Sequence, residues 1–313
     1  MLSLLIATRN GADTLPQALN SLCAQTLNAR YWELIIINNG STDSTTSILE
    51  HYTNKLPLTV LHEAKPGKNI ALNQAIPLAK GDLIIFSDDD VIFHPDWLLL
   101  HMKAAADNPD FDIFGGPILP LWPHPPQQWI LDNVPLGTTY AIHEQIPHEG
   151  ECSIGIVWGA NFSVRRAVFD TYGLLHENIG PQGTNYAMGS ESAYLYKLHK
   201  LKHLAYFIPL ATVRHIIHPL QMEKSWTLNR AKRFGKGAIK LEILNGSANC
   251  TTIIGLPRWA AFQLLSESIS LLVNFLNVNK RYKTLWKINY YLGYISEFVK
   301  TKSGDEAEAD KQI

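Results

Sequence analysis

A chain of 313 residues, 46% hydrophobic and 18% charged, is long enough to bury a large core as one domain or as a domain with a subdomain. Its formal net charge of −1 removes the electrostatic case for nucleic acid. Three cysteines, Cys23, Cys152 and Cys250, have no metal-ligand spacing and make no even disulfide set, which fits buried, inert thiols in a reducing compartment.

Met1 to Ala7 is too short, and lacks the basic start, for a signal peptide, so Leu2 to Ala7 is read as the first strand. Asp13 or Thr14 can cap a helix with Pro16 in its first turn, and Leu15, Ala18, Leu19 and Leu22 share one face of it. Glu33 to Ile37 is a second apolar strand. The turn-forming run Asn38-Asn39-Gly40-Ser41-Thr42-Asp43 closes it, ahead of a helix predicted from Ser44 to His51. Leu58 to Leu61 is a third strand. Lys65-Pro66-Gly67-Lys68 is a basic turn before a helix from Asn69 to about Ile76, limited by Pro77. Gly81 then leads into Leu83-Ile84-Ile85-Phe86-Ser87-Asp88-Asp89-Asp90, a fully buried strand ending in three adjacent carboxylates.

Strands and helices alternating at this spacing predict an α/β fold with a mostly parallel, Rossmann-like sheet and helices on both faces. The polar strand ends Thr8-Arg9-Asn10, Asn38-Asn39 and Asp88-Asp89-Asp90 then share the sheet edge where ligands bind. Three neighbouring carboxylates repel one another unless a cation neutralises them, and hard oxygen ligands suit magnesium or manganese. A helix-loop-helix calcium site is a poor fit, because Phe93 stands where such a loop needs glycine. No Gly-rich dinucleotide fingerprint follows the first strand and no Walker loop occurs, so phosphate charge would be met by metal and basic side chains.

Phe111 to Gly116 is a further strand. Residues 117–150, rich in proline, are read as a long surface excursion anchored by Trp122 and Trp129. Trp158-Gly159-Ala160-Asn161 is a close-approach segment, Arg165 to Tyr172 a helix, and Gly180 to Asn185 a candidate mobile flap. Ser190 can cap a helix with Tyr194, Leu198 and Leu201 as its buried stripe. Glu191 then lies in the first turn, at the positive end of the helix dipole. A basic helix is predicted from Ser225 to Lys240. Trp259 to Asn279 reads as an amphipathic helix with a polar seam of Gln263, Glu267, Ser270, Asn274 and Asn277, packed on the domain or lying in a membrane interface rather than spanning one. A partner helix would present Leu285, Ile288, Leu292, Ile295 and Val299, with Lys280, Arg281, Lys283 and Lys287 favouring anionic lipid. Ser303 to Ile313 is an acidic tail without apolar periodicity, expected to be disordered.

The succession Ala7-Thr8-Arg9-Asn10, Ile37 to Asp43 and Lys80 to Asp90 resembles the family two glycosyltransferases. So do Phe114-Gly115-Gly116-Pro117, Trp158 to Arg166, Gly189-Ser190-Glu191 and Val213-Arg214-His215, which extend the resemblance over about residues 1–240. It implies the GT-A fold and a metal-dependent, inverting, hexosyltransferase-like enzyme that moves a sugar from a nucleoside diphosphate donor to an acceptor hydroxyl on a glycan or a lipid-linked acceptor. It implies a base pocket lined by Thr8 and Arg9, with Asn38 where the family usually has Asp. Lys68 is counted with the donor-binding residues. Asp90, with Asp88 as a second candidate, would hold the manganese or magnesium ion, with Asp88 or Asp89 near the ribose, and His215 matches a family metal ligand. The family's usual Glu-Asp pair is Glu191-Ser192 here, so either Glu191 is the catalytic base or the base lies elsewhere. The expected division is a catalytic domain over 1–220, with a nucleotide-sugar half to about 116 and an acceptor half beyond it, then a helical extension over 221–302 and the tail. The chain is expected in the cytoplasm, peripheral on the inner membrane face. Two rivals stand beside this: a donor-binding module with impaired catalysis, and a nucleotidyltransferase, for which Arg9-Asn10-Gly11-Ala12 is a poor loop.

Overall fold

A computed structural model describes residues 1–143, 145–182, 185–248 and 251–302. The elements in order are β1 (Leu2–Thr8), α1 (Leu15–Cys23), β2 (Trp32–Asn38), α2 (Thr45–Tyr52), β3 (Leu58–His62), α3 (Lys68–Ala75), β4 (Leu83–Ser87), β5 (Val91–Phe93) and α4 (Trp97–Asp107). Next come β6 (Ile113–Gly115), β7 (Ile118–Leu121), α5 (Gln128–Asn133), α6 (Leu136–Tyr140), β8 (Gly150–Cys152), β9 (Phe162–Arg165) and α7 (Arg166–Tyr172). They are followed by β10 (Gly180–Gln182), β11 (Asn185–Ala187), α8 (Ser190–Lys200), β12 (Ala205–Phe207), β13 (Val213–Ile216) and α9 (Lys224–Leu244). The chain ends in β14 (Thr252–Ile253), β15 (Leu256–Pro257), α10 (Arg258–Val273) and α11 (Val278–Lys302).

Two compact units result. The first takes residues 1–122, 140–178 and 190–217; the second takes 123–139, 179–189 and the chain from His218.

The first unit is built on a sheet of order β3-β2-β1-β4-β9-β6-β12-β8. β3, β2, β1 and β4 are parallel, as the alternating pattern predicts, and β6 is parallel to β12. β9 runs antiparallel between β4 and β6, and β8 antiparallel on β12, so the sheet is mixed beyond β4. The central strands β1, β2 and β4 are mostly apolar and buried, as a sheet covered on both faces requires, whereas the edge strand β3 is only half-buried. Leu4, Leu5, Ile6, Ile36, Ile84 and Ile85 are all inaccessible to solvent. The predicted α1 face is buried throughout, although Thr14 makes no side-chain cap.

Residues 117–150 are less of a surface excursion than the proline content suggested. They contain β7, which joins β5 and β13 in a second, three-stranded sheet, and they bury Ile118 and Ile142. In α8, Tyr194 and Leu198 are buried as expected, but Leu201 falls just past the helix end and is exposed. Cys23 is exposed and Cys152 half-buried, against the expectation of buried thiols. Burial, helped by Glu151, pushes Cys152 up to about 11 and keeps it a poor nucleophile. Cys250, the acidic tail 303–313 and the flap residues Gly183 and Thr184 lie outside the described residues.

One buried polar cluster ties the unit together. Asn161 accepts from Trp97 Nε1 (2.8 Å) and from His101 Nε2 (3.2 Å), and donates to the carbonyls of Pro117 and Ala211. His101 is neutral: with Nε2–H donating, its Nδ1 accepts from the Ser163 hydroxyl at 3.0 Å. Burial lowers His101 from 6.5 to about 4. The unfolded chain therefore takes up a proton near pH 6.5 that the folded chain refuses until about pH 4, so stability falls as pH drops through that window. The full loss is about 3 kcal/mol. In His101→Gln, urea melts between pH 6 and 5 are expected to show a pH slope smaller by about 1 kcal/mol per pH unit. An unchanged slope assigns the acid sensitivity elsewhere.

In the second unit α9 packs on α11 through glycines. A Cβ on Gly235 would overlap the Tyr290 carbonyl oxygen, and one on Gly293 the Lys232 carbonyl oxygen, so the two backbones touch. This close approach sets the buried face of α11. It buries Tyr282, Gly293, Tyr294, Glu297 and Phe298, while Leu292 and Val299 of the predicted apolar stripe are exposed. Glu297 is fully buried, with Lys240 Nζ at 3.3 Å and Lys236 Nζ at 3.9 Å. Arg230 donates to the Tyr186 hydroxyl, and the Arg233 guanidinium lies 4.7 Å from that ring. Of the predicted polar seam of α10, Gln263 and Asn277 are exposed and Glu267, Ser270 and Asn274 half-buried. Glu267, on that seam, pairs with Lys287 of α11 at 2.8 Å. No helix among the described residues is long and apolar enough to cross a membrane.

Candidate active site

Asp88, Asp89 and Asp90 form the turn between β4 and β5. Thr8 ends β1 and is buried, and its hydroxyl donates to Asp89 Oδ2. Gly11 makes this possible: a Cβ there would lie 2.6 Å from the same oxygen. Lys68, the first residue of α3, pairs with Asp88 Oδ1. Asp89 is the carboxylate that the crowding penalises. Burial, then the charges of Asp90 and Asp88, push it up to about 7 against the Thr8 hydrogen bond and Lys68.

Asp90 faces His215, and strand register explains why. β13 pairs antiparallel with β5 so that His215 lies opposite Val91, and Ile216 N donates to the Asp90 carbonyl. His215 Nε2 is 3.2 Å from Asp90 Oδ2. Its Nδ1 donates to the Tyr140 carbonyl at 2.6 Å, because a carbonyl can only accept. The tautomer is thereby set, and Nε2 is the nitrogen presented to Asp90. Burial works against charge on both groups. For Asp90, His215 and then Lys68 outweigh it and hold the carboxyl below its usual range. For His215, Asp90 outweighs it and holds the imidazole above its usual range. Asp90 Oδ1 is buried and has no hydrogen-bond partner.

Asn38, in register with Thr8, is buried. Its Oδ1 accepts from Ser41 N and its Nδ2 donates to the Thr46 hydroxyl, which leaves one lone pair and one N–H for another partner. Arg9 is exposed. Asn39 fixes the segment before α3, donating to the carbonyls of Glu63 and Lys65 and accepting from Gly67 N.

Glu191 lies in the first turn of α8, half-buried. Two straps connect that turn to the acidic one. In α3, Lys68 reaches Asp88 while its neighbour Asn69 donates to the Ser190 carbonyl. In the loop before β9, Ala160 accepts from Ser87 at 2.7 Å while its neighbour Gly159 lies under Glu191. A Cβ on Gly159 would stand 2.9 Å from Glu191 Cδ and 3.0 Å from Oε2. Gly159→Ala is accordingly expected to displace the carboxylate and lower any activity that depends on it by roughly 10–100-fold, with little change in melting temperature. Equal activity in the variant would mean that the Glu191 carboxylate need not sit over Gly159.

Thr8, Lys68, Asp88, Asp89, Asp90 and His215 thus contact one another in one chain of pairs. Tyr140 contributes through its backbone and left no sequence signal. Asn69 did leave one: with Asn73 it makes a pair of polar residues four apart on the buried face of a helix. Among the described residues, no group of three or more His, Cys, Asp or Glu side chains is arranged to hold a metal ion.

A family model described as Glycosyl transferase family 2 matches residues 3–173. Over 113 residues the chain is 35% identical to the uncharacterized glycosyltransferase YibD of Escherichia coli, a match covering 36% of this chain and 32% of that protein. The chain spans only 17–32% of the length of the first curated relatives it matches. Among solved structures, mannosyltransferase PcManGT from Pyrobaculum calidifontis in complex with GDP-Man and Mn2+ superimposes with a TM-score of 0.62 at 18% identity, over 96% of this chain and 86% of that one. Glucosyl-3-phosphoglycerate synthase from Mycobacterium tuberculosis, in complex with Mn2+, UDP-glucose and phosphoglyceric acid, does so with a TM-score of 0.52 at 16% identity, over 82% of each chain. These two likenesses show a GT-A-like fold.

Proposed function

The chain belongs to glycosyl transferase family 2, and from that premise we propose that it transfers a sugar from a nucleoside diphosphate donor to an acceptor hydroxyl, with inversion, in polysaccharide or glycolipid assembly. One observation carries the proposal: a carboxylate oxygen of Asp90 stands buried and unpartnered beside His215 Nε2, at the ligand-binding edge of the sheet.

The site fits a divalent cation. Asp90 Oδ1 offers an unused anionic oxygen, and the Tyr140 carbonyl turns His215 so that Nε2 is presented to the same carboxylate. Asp90 and His215 would hold the ion, with Asp88 adjoining. Manganese accepts this oxygen–nitrogen set. When bound, the ion neutralises the charge that develops on the departing diphosphate.

The chain's own groups do the rest. Thr8, Arg9 and the remaining amide capacity of Asn38 line the base pocket. Asp89, held by Thr8, and Asp88 face the ribose hydroxyls, and Lys68 brings positive charge to the phosphates. The Glu191 carboxylate removes the acceptor hydroxyl proton as that oxygen attacks the anomeric carbon from the face opposite the diphosphate. No acid is needed for the leaving group, so a single carboxylate suffices. Residues to about 116 serve the donor and 117–220 the acceptor. Placement is cytoplasmic, with the helices after residue 220 peripheral on the inner membrane face.

The test incubates the full chain with UDP- and GDP-sugars, with and without manganese. Manganese-dependent release of nucleoside diphosphate is expected. Formation of nucleoside triphosphate and sugar 1-phosphate when pyrophosphate is added would point to a nucleotidyltransferase, and binding without turnover to a module disabled at Ser192.

A further inference from the structure

α10 packs Ala260 and the Trp259 ring on α11 but turns another set of apolar side chains outward. Phe262, Leu265, Ile269, Leu272 and Val273 recur at spacings that place them on one helix face, and they are 53–79% exposed. The stripe runs on through Phe275 and Leu276, the latter 91% exposed. The acidic residue of this helix, Glu267, is turned inward onto Lys287 of α11. A helix that packs its apolar face on its own domain shows the reverse arrangement. An exposed apolar patch of this extent marks an interaction surface.

Cations rim the stripe. The Arg258 guanidinium stands 5.7 Å from the Phe262 ring centroid, and Arg281 5.7 Å from that of Phe275. Lys280, Lys283 and Lys287 follow one another along an exposed line of α11. Between Thr251 and Lys287 the chain has five basic residues and one acid, although its overall net charge is −1. Just before α10, the β14–β15 turn holds Ile254 96% exposed at φ +51°, a conformation that β-branched residues rarely adopt.

We propose that α10 lies in the plane of an anionic phospholipid surface. Its Phe262–Leu276 stripe enters the boundary between headgroups and acyl chains, while Arg258, Lys280, Arg281 and Lys283 engage lipid phosphates. A second copy is the poorer occupant, because a two-fold interface would set this cationic rim against itself. The proposal gives residues and a lipid class to the peripheral placement above and rests on it, but not on glycosyl transfer.

The test is co-sedimentation of the full chain with vesicles of phosphatidylcholine, pure or with about one third phosphatidylglycerol. Two variants are compared with the wild type: Leu265→Ser/Ile269→Ser/Leu272→Ser, and Arg258→Gln/Lys280→Gln/Arg281→Gln/Lys283→Gln. All these side chains are at least partly exposed, and melting temperatures check that both variants fold. The wild type is expected to bind phosphatidylglycerol vesicles at least tenfold better than pure phosphatidylcholine. The apolar variant should lose binding to both, and the charge variant should lose the preference. Wild-type protein left in the supernatant, or an apolar variant that binds as well as wild type, overturns the proposal. So does a wild-type dimer that the apolar variant converts to monomer without any lipid binding. Nucleoside diphosphate release in lipid-free solution is recorded in parallel. Vesicle binding without release leaves docking standing and removes the transferase, and release without binding does the opposite.

Discussion

Glu191→Gln is expected to lower sugar transfer by roughly 10²–10⁴-fold while leaving nucleoside diphosphate affinity within a factor of about two. The two side chains have nearly the same shape, so the cradle over Gly159 and the first turn of α8 should persist. What disappears is the group that can accept a proton. The split between turnover and binding separates a base from a merely structural side chain, which would change stability or affinity instead. The neighbour cannot substitute: Ser192 carries a hydroxyl where the family pattern has a carboxylate. Transfer within tenfold of wild type in Glu191→Gln would place the base elsewhere. A large gain in Ser192→Asp with Glu191 intact would mean that the native pair is catalytically impaired.

Asp90→Asn is expected to abolish the manganese dependence of donor binding and to lower nucleoside diphosphate release by roughly 10²–10³-fold. The amide keeps the volume but removes the anionic oxygen that lies buried without a partner. His215→Ala acts on the same ion and should give a similar loss. Because Asp90 and His215 are 3.2 Å apart and would share one ligand, the double variant should lose little more than either single one. Strictly additive losses would show that the two residues serve separate purposes. Chelation of metal from the wild type should reproduce the Asp90→Asn behaviour and have no further effect on that variant.

The parallel half of the sheet was legible because its signal is local. Leu34 to Ile37 and Leu83 to Phe86 are unbroken apolar runs between turn residues, and the three acids after Ser87 announce a strand end that faces ligand. The pairing of His215 with Asp90 was not local. It follows from β13 lying beside β5, 125 residues apart at the contact, and only the family resemblance pointed to it. The reversed direction of β9 left no trace, since a four-residue strand reads alike in either orientation. In β7, Pro120 and the flanking prolines mask the strand pattern. The buried face of α11 departs from its apolar periodicity because glycines, not large apolar residues, set the helix contact. Gly235 and Gly293 bring two backbones into contact and rotate the buried face of α11 toward Tyr294 and Glu297. Tyr140 acts through its backbone carbonyl, which sequence patterns do not display.

The most direct measurement is a crystal structure of the full chain with UDP or GDP and manganese, phased for anomalous scattering at the manganese edge. A single peak shared by Asp90 Oδ1, His215 Nε2 and the diphosphate, with the base beside Thr8 and Asn38, is the predicted result. A nucleotide bound away from the β4–β5 turn, or a peak that leaves both Asp90 and His215 untouched, would contradict the account.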